Sequence, residues 1–172
     1  MVDVWTVGHS TREIGEFVGI LSGYGIGVLA DIRRYPSSRK FPHFNMENLS
    51  ASLEGSGIEY LPLPELGGRR RPRHDSRNTI WRNPSFRGYA DYMESDEFRS
   101  GVGRLLESAR AGRTAVMCSE LLWWRCHRAL VADYLKAGGV RVVHILGPEK
   151  SVVHPYTSAA RVVDGKLSYE ST

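Results

Sequence analysis

Short apolar runs alternate with segments of helical periodicity along most of the chain, and this alternation limits the folds that the chain can adopt. The run at 26–32 is apolar up to Asp31, which is typical of a strand buried on both faces of a parallel sheet. Between such runs, apolar residues recur three or four positions apart, as they do from Ile14 to Leu21. The predicted strands lie at 2–7, 26–32, 58–63, 114–117 and 140–146. The predicted helices lie at 14–21, 46–53, 88–93, 97–109 and 123–137.

This order of segments predicts an α/β fold with three layers, in which helices cover both faces of a mostly parallel five-stranded sheet. The expected topology is rhodanese-like or Rossmann-like. The length of 172 residues fits one domain. We divide it into a core at 1–150 and a tail at 151–172, where Asp164-Gly165 predicts the turn of a hairpin. The segments 33–45 and 64–86 lack periodicity and are predicted to be loops, which at such lengths are usually functional or mobile.

The composition points to a cytoplasmic protein without a membrane segment. No apolar run approaches the roughly 20 residues needed to cross a bilayer. The N-terminus lacks a basic segment followed by an apolar one, so no secretory signal is predicted. The two cysteines, Cys118 and Cys126, are expected to be free thiols that act as ligands or nucleophiles, because this location disfavours a structural disulfide.

Arginine is concentrated in one stretch of the chain. Seven arginines and no lysine lie between Arg69 and Arg87, where Asp75 is the only acid. The guanidinium group grips phosphate or carboxylate at two points and stacks on bases, which a lysine cannot do. The stretch is interpreted as a binding loop for phosphate groups; the alternative is a solvated basic loop.

Polar and titratable residues follow four of the five predicted strands. Ligands of open parallel sheets bind beyond the carboxyl ends of the strands, so these residues are expected to meet in one site. The catalytic candidates are Asp31, Cys118, Glu120 and His127. The substrate-binding candidates are His9, Ser10, Arg33, Ser38, Arg39, Arg69, Arg70, Arg71, Tyr89, Trp123 and Arg128.

The carboxylate candidates also have structural interpretations. A bare carboxylate at the end of a buried strand is costly, so Asp31 is expected to pair with an arginine. The available partners are Arg33, Arg39 and Arg128. Asp31 is then either a general base or one half of a structural ion pair. Glu120 is either catalytic or a cap of the following helix.

Cys118, Cys126 and His127 together offer two thiolates and an imidazole, which zinc accepts as ligands. Their spacing matches no standard zinc pattern, and a fourth ligand would have to come from His9, Glu120 or Asp31. We therefore expect no metal and no other cofactor, and zinc remains the alternative. His127 is otherwise expected to be satisfied by backbone groups at the start of a helix.

Six separated motifs occur in the order in which they occur in the domain of unknown function 488 family, which the chain resembles from Val4 to about His154. The motifs are Thr6–Ser10, Asp31–Arg33 with Pro36–Arg39, Leu66–Gly68, Gly88–Met93, Met117–Glu120 and Cys126–Arg128. The resemblance implies an α/β fold, an intracellular prokaryotic setting and a shared site that the motif residues line. It implies no particular activity.

A second similarity, in topology, is to the rhodanese fold, where Asp-x-Arg follows an early strand and a catalytic cysteine ends a later one. Asp31-Ile32-Arg33 and Cys118 occupy comparable places. The loop after Cys118 departs from the rhodanese pattern, because Leu121–Trp124 is bulky where a rhodanese loop surrounds its thiolate with backbone N–H groups. The similarity therefore implies topology and disfavours sulfur transfer.

These observations predict an intracellular enzyme that acts on nucleic acid or nucleotides, such as a DNA glycosylase that hydrolyses the N-glycosidic bond of a modified base. The arginines would hold phosphates, an aromatic residue would stack on an extruded base, and Asp31 or Glu120 would orient water. One alternative is a thiol-dependent enzyme that uses Cys118, or else Cys126, on a small anionic substrate. The other is a non-catalytic module that binds nucleic acid or a protein.

Overall fold

The computed structural model describes residues 2–171. Its strands are β1 (Asp3–Gly8), β2 (Val28–Asp31), β3 (Glu59–Pro62), β4 (Thr114–Cys118), β5 (Arg141–Gly147), β6 (Lys150–Val153), β7 (Arg161–Val163) and β8 (Lys166–Ser168). Its α-helices are α1 (Ile14–Gly23), α2 (Met46–Glu54), α3 (Pro84–Tyr92), α4 (Asp96–Ala111) and α5 (Arg128–Ala137). Short 3-10 helices occur at Pro42–Phe44, Pro64–Leu66 and Trp123–Arg125. Within residues 2–171, none of the helices combines the length and the apolar character that crossing a bilayer requires.

Six strands form one sheet in the order β3-β2-β4-β1-β5-β6. The strands β1 to β5 pair in parallel, whereas β6 pairs antiparallel with β5. The predicted mostly parallel α/β sheet is therefore confirmed, but it has six strands and not five. The sixth strand forms because the chain reverses at Glu149, which has a φ of 56°, and lays Lys150–Val153 along the open edge of β5.

Alternate residues of the central strands face two separate cores, one on each side of the sheet. In β4, Ala115 and Met117 pack with α1 and α2, whereas Val116 and Cys118 pack with α3, α4 and α5. This is the three-layer arrangement that apolar strands predict, since both faces of the sheet must be covered. It directs the side chain of Cys118 towards the side on which α5 lies.

Two helices begin at places that the periodicity of the sequence does not indicate. The helix α3 starts at Pro84, inside the segment predicted to be a loop, because the Asn83 side chain accepts hydrogen bonds from the first turn. The helix α5 was predicted from 123 but starts at Arg128. The backbone at Cys126 is extended, with φ −133° and ψ 157°, so the 3-10 helix Trp123–Arg125 does not continue into α5.

The remainder of the long loop, residues 67–83, is ordered by a buried carboxylate. Asp91 accepts hydrogen bonds from the backbone N–H of Arg73, the hydroxyl of Ser76 and the amide of Asn78. Burial raises the pKa of Asp91, but these hydrogen bonds outweigh burial and hold it below its ordinary value. The loop also passes directly over α3, where a Cβ on Gly88 would overlap the Arg70 carbonyl. A segment without regular structure is thereby fixed.

Candidate functional site

The strands β1 and β4 lie side by side, and the connections that follow them run to opposite sides of the sheet. After β1 the chain moves across β4 to β2, and after β4 it moves across β1 to β5. Such a switch point leaves a crevice at the carboxyl ends of the two strands, where ligands of open α/β sheets bind. The two loops that border it are joined by backbone hydrogen bonds from His9 N to Cys118 O (2.9 Å) and from Ser10 N to Ser119 O (3.0 Å).

A cleft of about 480 Å³ opens at this switch point. Its volume lies in the range of small-molecule sites. Its lining comes from the loops after β1, β2 and β4, with Gly68 and Arg69 after β3 and with Cys126 and His127 directly before α5. The lining residues are His9, Ser10, Thr11, Arg33, Arg34, Tyr35, Ser37, Ser38, Lys40, Phe41, Gly68, Arg69, Cys118, Ser119, Glu120, Leu121, Cys126 and His127.

The fold brings together most of the residues predicted to form the site. The predicted residues that line the cleft are His9, Ser10, Arg33, Ser38, Arg69, Cys118, Glu120 and His127. The predicted residues that lie elsewhere are Asp31, Arg39, Arg70, Arg71, Tyr89, Trp123 and Arg128. The sequence interpretation named Cys126 as the alternative nucleophile to Cys118, and it lines the cleft beside Cys118.

Two glycines let the bordering loops approach each other closely. A Cβ on Gly8 would overlap the carbonyl oxygen of Glu120, so only glycine fits where the loop after β4 crosses β1. A Cβ on Gly67 would lie 2.6 Å from the Cα of Arg34, so the loops after β2 and β3 are in contact as well. Both glycines belong to motifs noted in the sequence, and their position explains why glycine is required there.

Asp31 does not reach the cleft, because its carboxylate is held by a bidentate ion pair. Its oxygens accept from Nε and Nη2 of Arg33 at 2.9 and 2.7 Å and from the hydroxyl of Tyr60 at 2.6 Å. The side chain is only 1% exposed. The expected arginine partner is therefore Arg33, and the geometry favours the structural interpretation of Asp31, which holds Arg33 against the cleft wall.

The two cysteines form a close pair at the inner end of the cleft. Their sulfur atoms lie 2.9 Å apart, and both thiols are free. Burial raises the pKa of Cys118 well above its ordinary value, and the neighbouring Cys126 raises it further. Burial also acts to raise the pKa of Cys126, but the Cys118 hydrogen bond, the charge of Arg128 and the Arg128 backbone N–H together lower it to about 7. Cys126 is therefore the thiol that ionises first.

His127 lies beside this thiol with its proton position fixed. Its Nε2 is 3.0 Å from the carbonyl oxygen of Ile32, which only accepts, so Nε2 carries the proton. Its Nδ1, left with a lone pair, lies 3.3 Å from the sulfur of Cys126. Burial lowers the pKa of His127, so the ring is a neutral acceptor for the Cys126 proton. Glu120 accepts from the Leu122 backbone N–H at 3.3 Å and is the one acid among the lining residues.

Arg128 is almost completely buried, at 1% exposed, and it holds the cysteine loop in place. Its Nη2 donates to the carbonyl oxygens of Glu120 (2.6 Å) and Leu121 (3.1 Å). Its Nη1 donates to the hydroxyl of Thr6 at 3.3 Å. It was predicted to bind substrate, but its burial and these bonds make it a support of the loop.

A chain of buried, hydrogen-bonded side chains connects Arg128 with Asp133 of α5, and we call it the relay: Arg128, Thr6, His144, His154 and Asp133. The distances are 2.5 Å from Thr6 Oγ1 to His144 Nδ1, 2.8 Å from His144 Nε2 to His154 Nδ1, and 2.8 Å from His154 Nε2 to Asp133. Sequence reasoning named Arg128 but missed its connection to Thr6, His144, His154 and Asp133. The one sign of them in the sequence is a polar residue inside each of two apolar strands, Thr6 and His144. These two residues meet because β1 pairs with β5, and the sequence does not show that pairing.

The aromatic candidates pack inside the fold, and three of the candidate arginines lie at the surface outside the cleft. Tyr89 is 1% exposed and donates its hydroxyl to the Leu66 carbonyl, and Trp123 stacks on His144 with centroids 4.4 Å apart. Both rings pack against neighbouring side chains, because α3 and the 3-10 helix Trp123–Arg125 direct them towards the interior. Arg70 and Arg71 line a neighbouring surface groove, and Arg39 is exposed.

The chain matches the family model described as domain of unknown function DUF488 over residues 13–135. It belongs to this family. Five of the six motifs noted in the sequence lie inside the matched range of this DUF488 chain, and Thr6–Ser10 precedes it. No curated protein and no solved structure matches it. Residues 2–171 contain no group of three or more His, Cys, Asp or Glu side chains arranged to hold a metal ion.

Proposed function

We propose that the chain is a thiol-dependent enzyme that acts on a small anionic substrate, with Cys126 as the nucleophile. The observation that carries the proposal is the environment of the Cys126 sulfur on the cleft wall. It lies 2.9 Å from Cys118, 3.3 Å from Nδ1 of His127 and 3.5 Å from the backbone N of Arg128. A lowered thiol pKa in a positive environment is what activates a nucleophilic cysteine.

The charges around the cleft support an anionic substrate. Arg34, Lys40 and Arg69 line it, and Glu120 is the one acid among the lining residues. The charge of Arg33 is already balanced by its ion pair with Asp31. The side chains at the mouth therefore carry an excess of positive charge, which raises the local concentration of anions.

The chemistry that this arrangement can perform is displacement at an electrophilic atom. The Cys126 thiol gives its proton to Nδ1 of His127, and the thiolate forms a bond to the substrate atom. The leaving group departs with the bonding electron pair and takes the proton from His127. A second nucleophile, water or an acceptor that enters the same cleft, then displaces the sulfur and restores the thiol.

The test is the pH dependence of alkylation of the two cysteines by iodoacetamide, measured peptide by peptide by mass spectrometry. We expect the rate at Cys126 to be half-maximal near pH 7 and Cys118 to react slowly. The Cys118→Ala variant should move the midpoint for Cys126 upward, because a hydrogen bond to the thiolate is lost. The ratio of the alkylation rate with iodoacetate to the rate with iodoacetamide should be a few-fold higher at Cys126 than at free cysteine, because the mouth attracts anions. The proposal fails if neither thiol reacts faster than free cysteine at neutral pH.

A second candidate function is action on nucleic acid, and one observation favours it. The exposed ring of Tyr35 at the mouth lies under the guanidinium groups of Arg34 (5.4 Å) and Arg69 (5.7 Å). An exposed aromatic ring flanked by arginines is suited to stacking on a base beside its phosphates. In this hypothesis, which includes hydrolysis of an N-glycosidic bond, Glu120 orients the water.

Not all of the arginine cluster is available for this second function. Arg70 stacks on Tyr92 at 3.7 Å, and Arg73 pairs with Glu94 at 3.2 Å. Binding of labelled single-stranded DNA, followed by fluorescence anisotropy over a range of salt concentrations, tests the hypothesis. We expect affinity to fall as salt rises, and Tyr35→Ala to weaken binding by about tenfold. Binding that is insensitive to salt would contradict the second candidate and leave the first untouched.

A further inference from the structure

Two side chains in the cleft wall each leave one polar atom without a hydrogen-bond partner among residues 2–171. These atoms are Nε2 of His9 and Nη1 of Arg33. Both side chains line the cleft although they are almost fully buried, with exposed fractions of 3% and 8%. Buried polar atoms are nearly always hydrogen-bonded in folded proteins. Two open ones in the wall of the same cleft therefore indicate a position for ligand atoms.

The other polar atoms of these two side chains are engaged, which fixes what the open atoms offer. His9 Nδ1 lies 2.9 Å from the carbonyl oxygen of Ser10, which only accepts, so Nδ1 carries the proton and Nε2 is an acceptor. The ring is held by stacking on Phe44, with centroids 4.2 Å apart. Arg33 gives Nε and Nη2 to Asp31, so Nη1 offers donors only.

Burial keeps the ring of His9 neutral at physiological pH, and the charges that face it act in both directions. Burial is the largest cause, and it lowers the pKa of His9 to about 4. The hydrogen bond to Ser10 and the charge of Asp31 oppose this shift, whereas the charges of Arg33 and His43 add to it. The cleft wall therefore presents one hydrogen-bond acceptor and one donor nitrogen in the same region.

We propose that His9 and Arg33 bind a phosphoryl group that retains one proton, as in hydrogenphosphate or the monoanion of a phosphate monoester. One phosphoryl oxygen accepts from Nη1 of Arg33, and the P–OH group donates to Nε2 of His9. The negative charge is balanced at the mouth by Arg34, Lys40 and Arg69. The inference rests on the proposed function for the location of the site, and it adds the class of the substrate.

Sulfate is the matched probe that separates this proposal from simple attraction of anions. It has the shape of phosphate but carries no proton near neutral pH, so it would set an oxygen lone pair against the lone pair of His9 Nε2. A site built to accept a hydrogen bond rejects analogues that cannot donate one, because its own polar atom is then left unpaired. The cleft should therefore distinguish the two ions although their charges are similar.

The experiment is calorimetric titration of the Cys126→Ser variant with inorganic phosphate, phenyl phosphate and sulfate at about pH 6, where a phosphate monoester retains its proton in about half of the molecules. This variant lacks the proposed nucleophile, so binding is measured apart from any thiol reaction. We expect phosphate to bind at least about tenfold more tightly than sulfate. Adding His9→Gln should reduce this ratio to about threefold or less, because the glutamine N–H group can donate to sulfate. The matched control is His74→Gln, an exposed position outside the cleft.

The outcomes separate this inference from the proposed function. If sulfate binds as tightly as phosphate, or if neither ion binds, the inference is overturned even where Cys126 alkylates as proposed. If phosphate binds selectively while Cys126 is unreactive, the inference stands and the thiol mechanism falls. If the His9→Gln variant does not fold, the phosphate and sulfate affinities of the Cys126→Ser protein decide alone. Tighter binding of phenyl phosphate assigns the phosphoryl group to an ester, and tighter binding of inorganic phosphate assigns it to the free ion.

Discussion

Two groups of buried polar side chains lie near the centre of the sheet, and they differ in whether their hydrogen bonds are complete. In the relay, every polar side-chain atom of Thr6, His144, His154 and Asp133 has a partner. In the cleft wall, His9 and Arg33 each keep one atom open, as described above. The difference teaches that burial alone does not separate the two groups, whereas an unpartnered buried polar atom beside a cleft calls for an explanation such as a bound ligand.

The direction of every hydrogen bond in the relay follows from its two ends. Arg128 only donates, so the Thr6 hydroxyl accepts from it and donates to Nδ1 of His144. His144 then carries its proton on Nε2 and donates to His154, which donates to the Asp133 carboxylate. Burial is the largest cause that lowers the pKa of His144, to about 2, which agrees with the neutral ring that this order requires.

The relay and the cleft are joined at Arg128. This side chain starts the relay through Thr6, and it also holds the loop that carries Glu120. Its own Nε has no partner among the described residues. In this respect Arg128 resembles His9 and Arg33 in the cleft wall and differs from the other members of the relay. The comparison therefore predicts losses of stability from changes in the relay and losses of binding from changes in the cleft wall.

The largest expected effect is the loss of stability caused by Asp133→Asn. The carboxylate accepts from His154, from the backbone N–H and hydroxyl of Thr157, and from Tyr169, at distances of 2.6 to 3.0 Å. The NH2 group of asparagine would face one of these hydrogen-bond donors in place of an accepting oxygen. This should lower the free energy of unfolding by about 3 kcal/mol or more. Urea denaturation measures this cost. The same change at the exposed Asp96 should cost less than about 0.5 kcal/mol, and a similar loss at both sites would break the comparison.

A smaller effect is expected in the pH dependence of stability. Burial lowers the pKa values of His9, His127 and His144 in the folded chain, so between about pH 6 and pH 5 the unfolded chain binds protons that the folded chain does not. The free energy of unfolding should therefore decrease as the pH is lowered through this window. The full stabilisation is present above the ordinary pKa of histidine. Each neutral histidine contributes a slope of up to about 1.4 kcal/mol per pH unit.

The His9→Gln variant sharpens this second prediction, because it removes one contribution from the cleft wall and leaves the relay intact. Urea midpoints at several pH values should show a shallower loss of stability than in the unchanged chain. His74→Gln, at an exposed position, should leave the slope as it is. An unchanged slope after His9→Gln would mean that the ring is protonated in the folded chain, and His9 would then be a donor like Arg33.

The sequence predicts the sheet well because its signals are local. Apolar runs and helical periodicity give the first five strands and all five α-helices to within a few residues, except at the starts of α3 and α5. The sixth strand could not be predicted, because Lys150–Val153 becomes a strand only by pairing with the open edge of β5. Residues that follow the strands were expected to meet, and most of those predicted to form the site do line the cleft.

The direction in which a side chain points could not be predicted in the same way. Asp31, Tyr89 and Arg128 lie in the motifs that border the cleft, yet they face inward and bind neighbouring groups. Thr6 and His144 meet because β1 and β5 are neighbours in register, a pairing between residues far apart in the chain. Such contacts depend on the order of strands, which the hydrophobic pattern of one sequence does not determine.

The smallest expected effect comes from removing one hydroxyl on each side of the comparison. Tyr169 donates to Asp133 at 2.7 Å, and Tyr60 donates to Asp31 at 2.6 Å. Tyr169→Phe and Tyr60→Phe should each lower the free energy of unfolding by about 1 kcal/mol, because one hydrogen bond to a buried carboxylate is lost. Their effects on phosphate binding should differ. Asp31 orients Arg33, so Tyr60→Phe should weaken binding by a few-fold, whereas Tyr169→Phe should leave it unchanged in the same calorimetric titration. Equal losses of binding in both variants would show that the relay and the cleft respond as one unit.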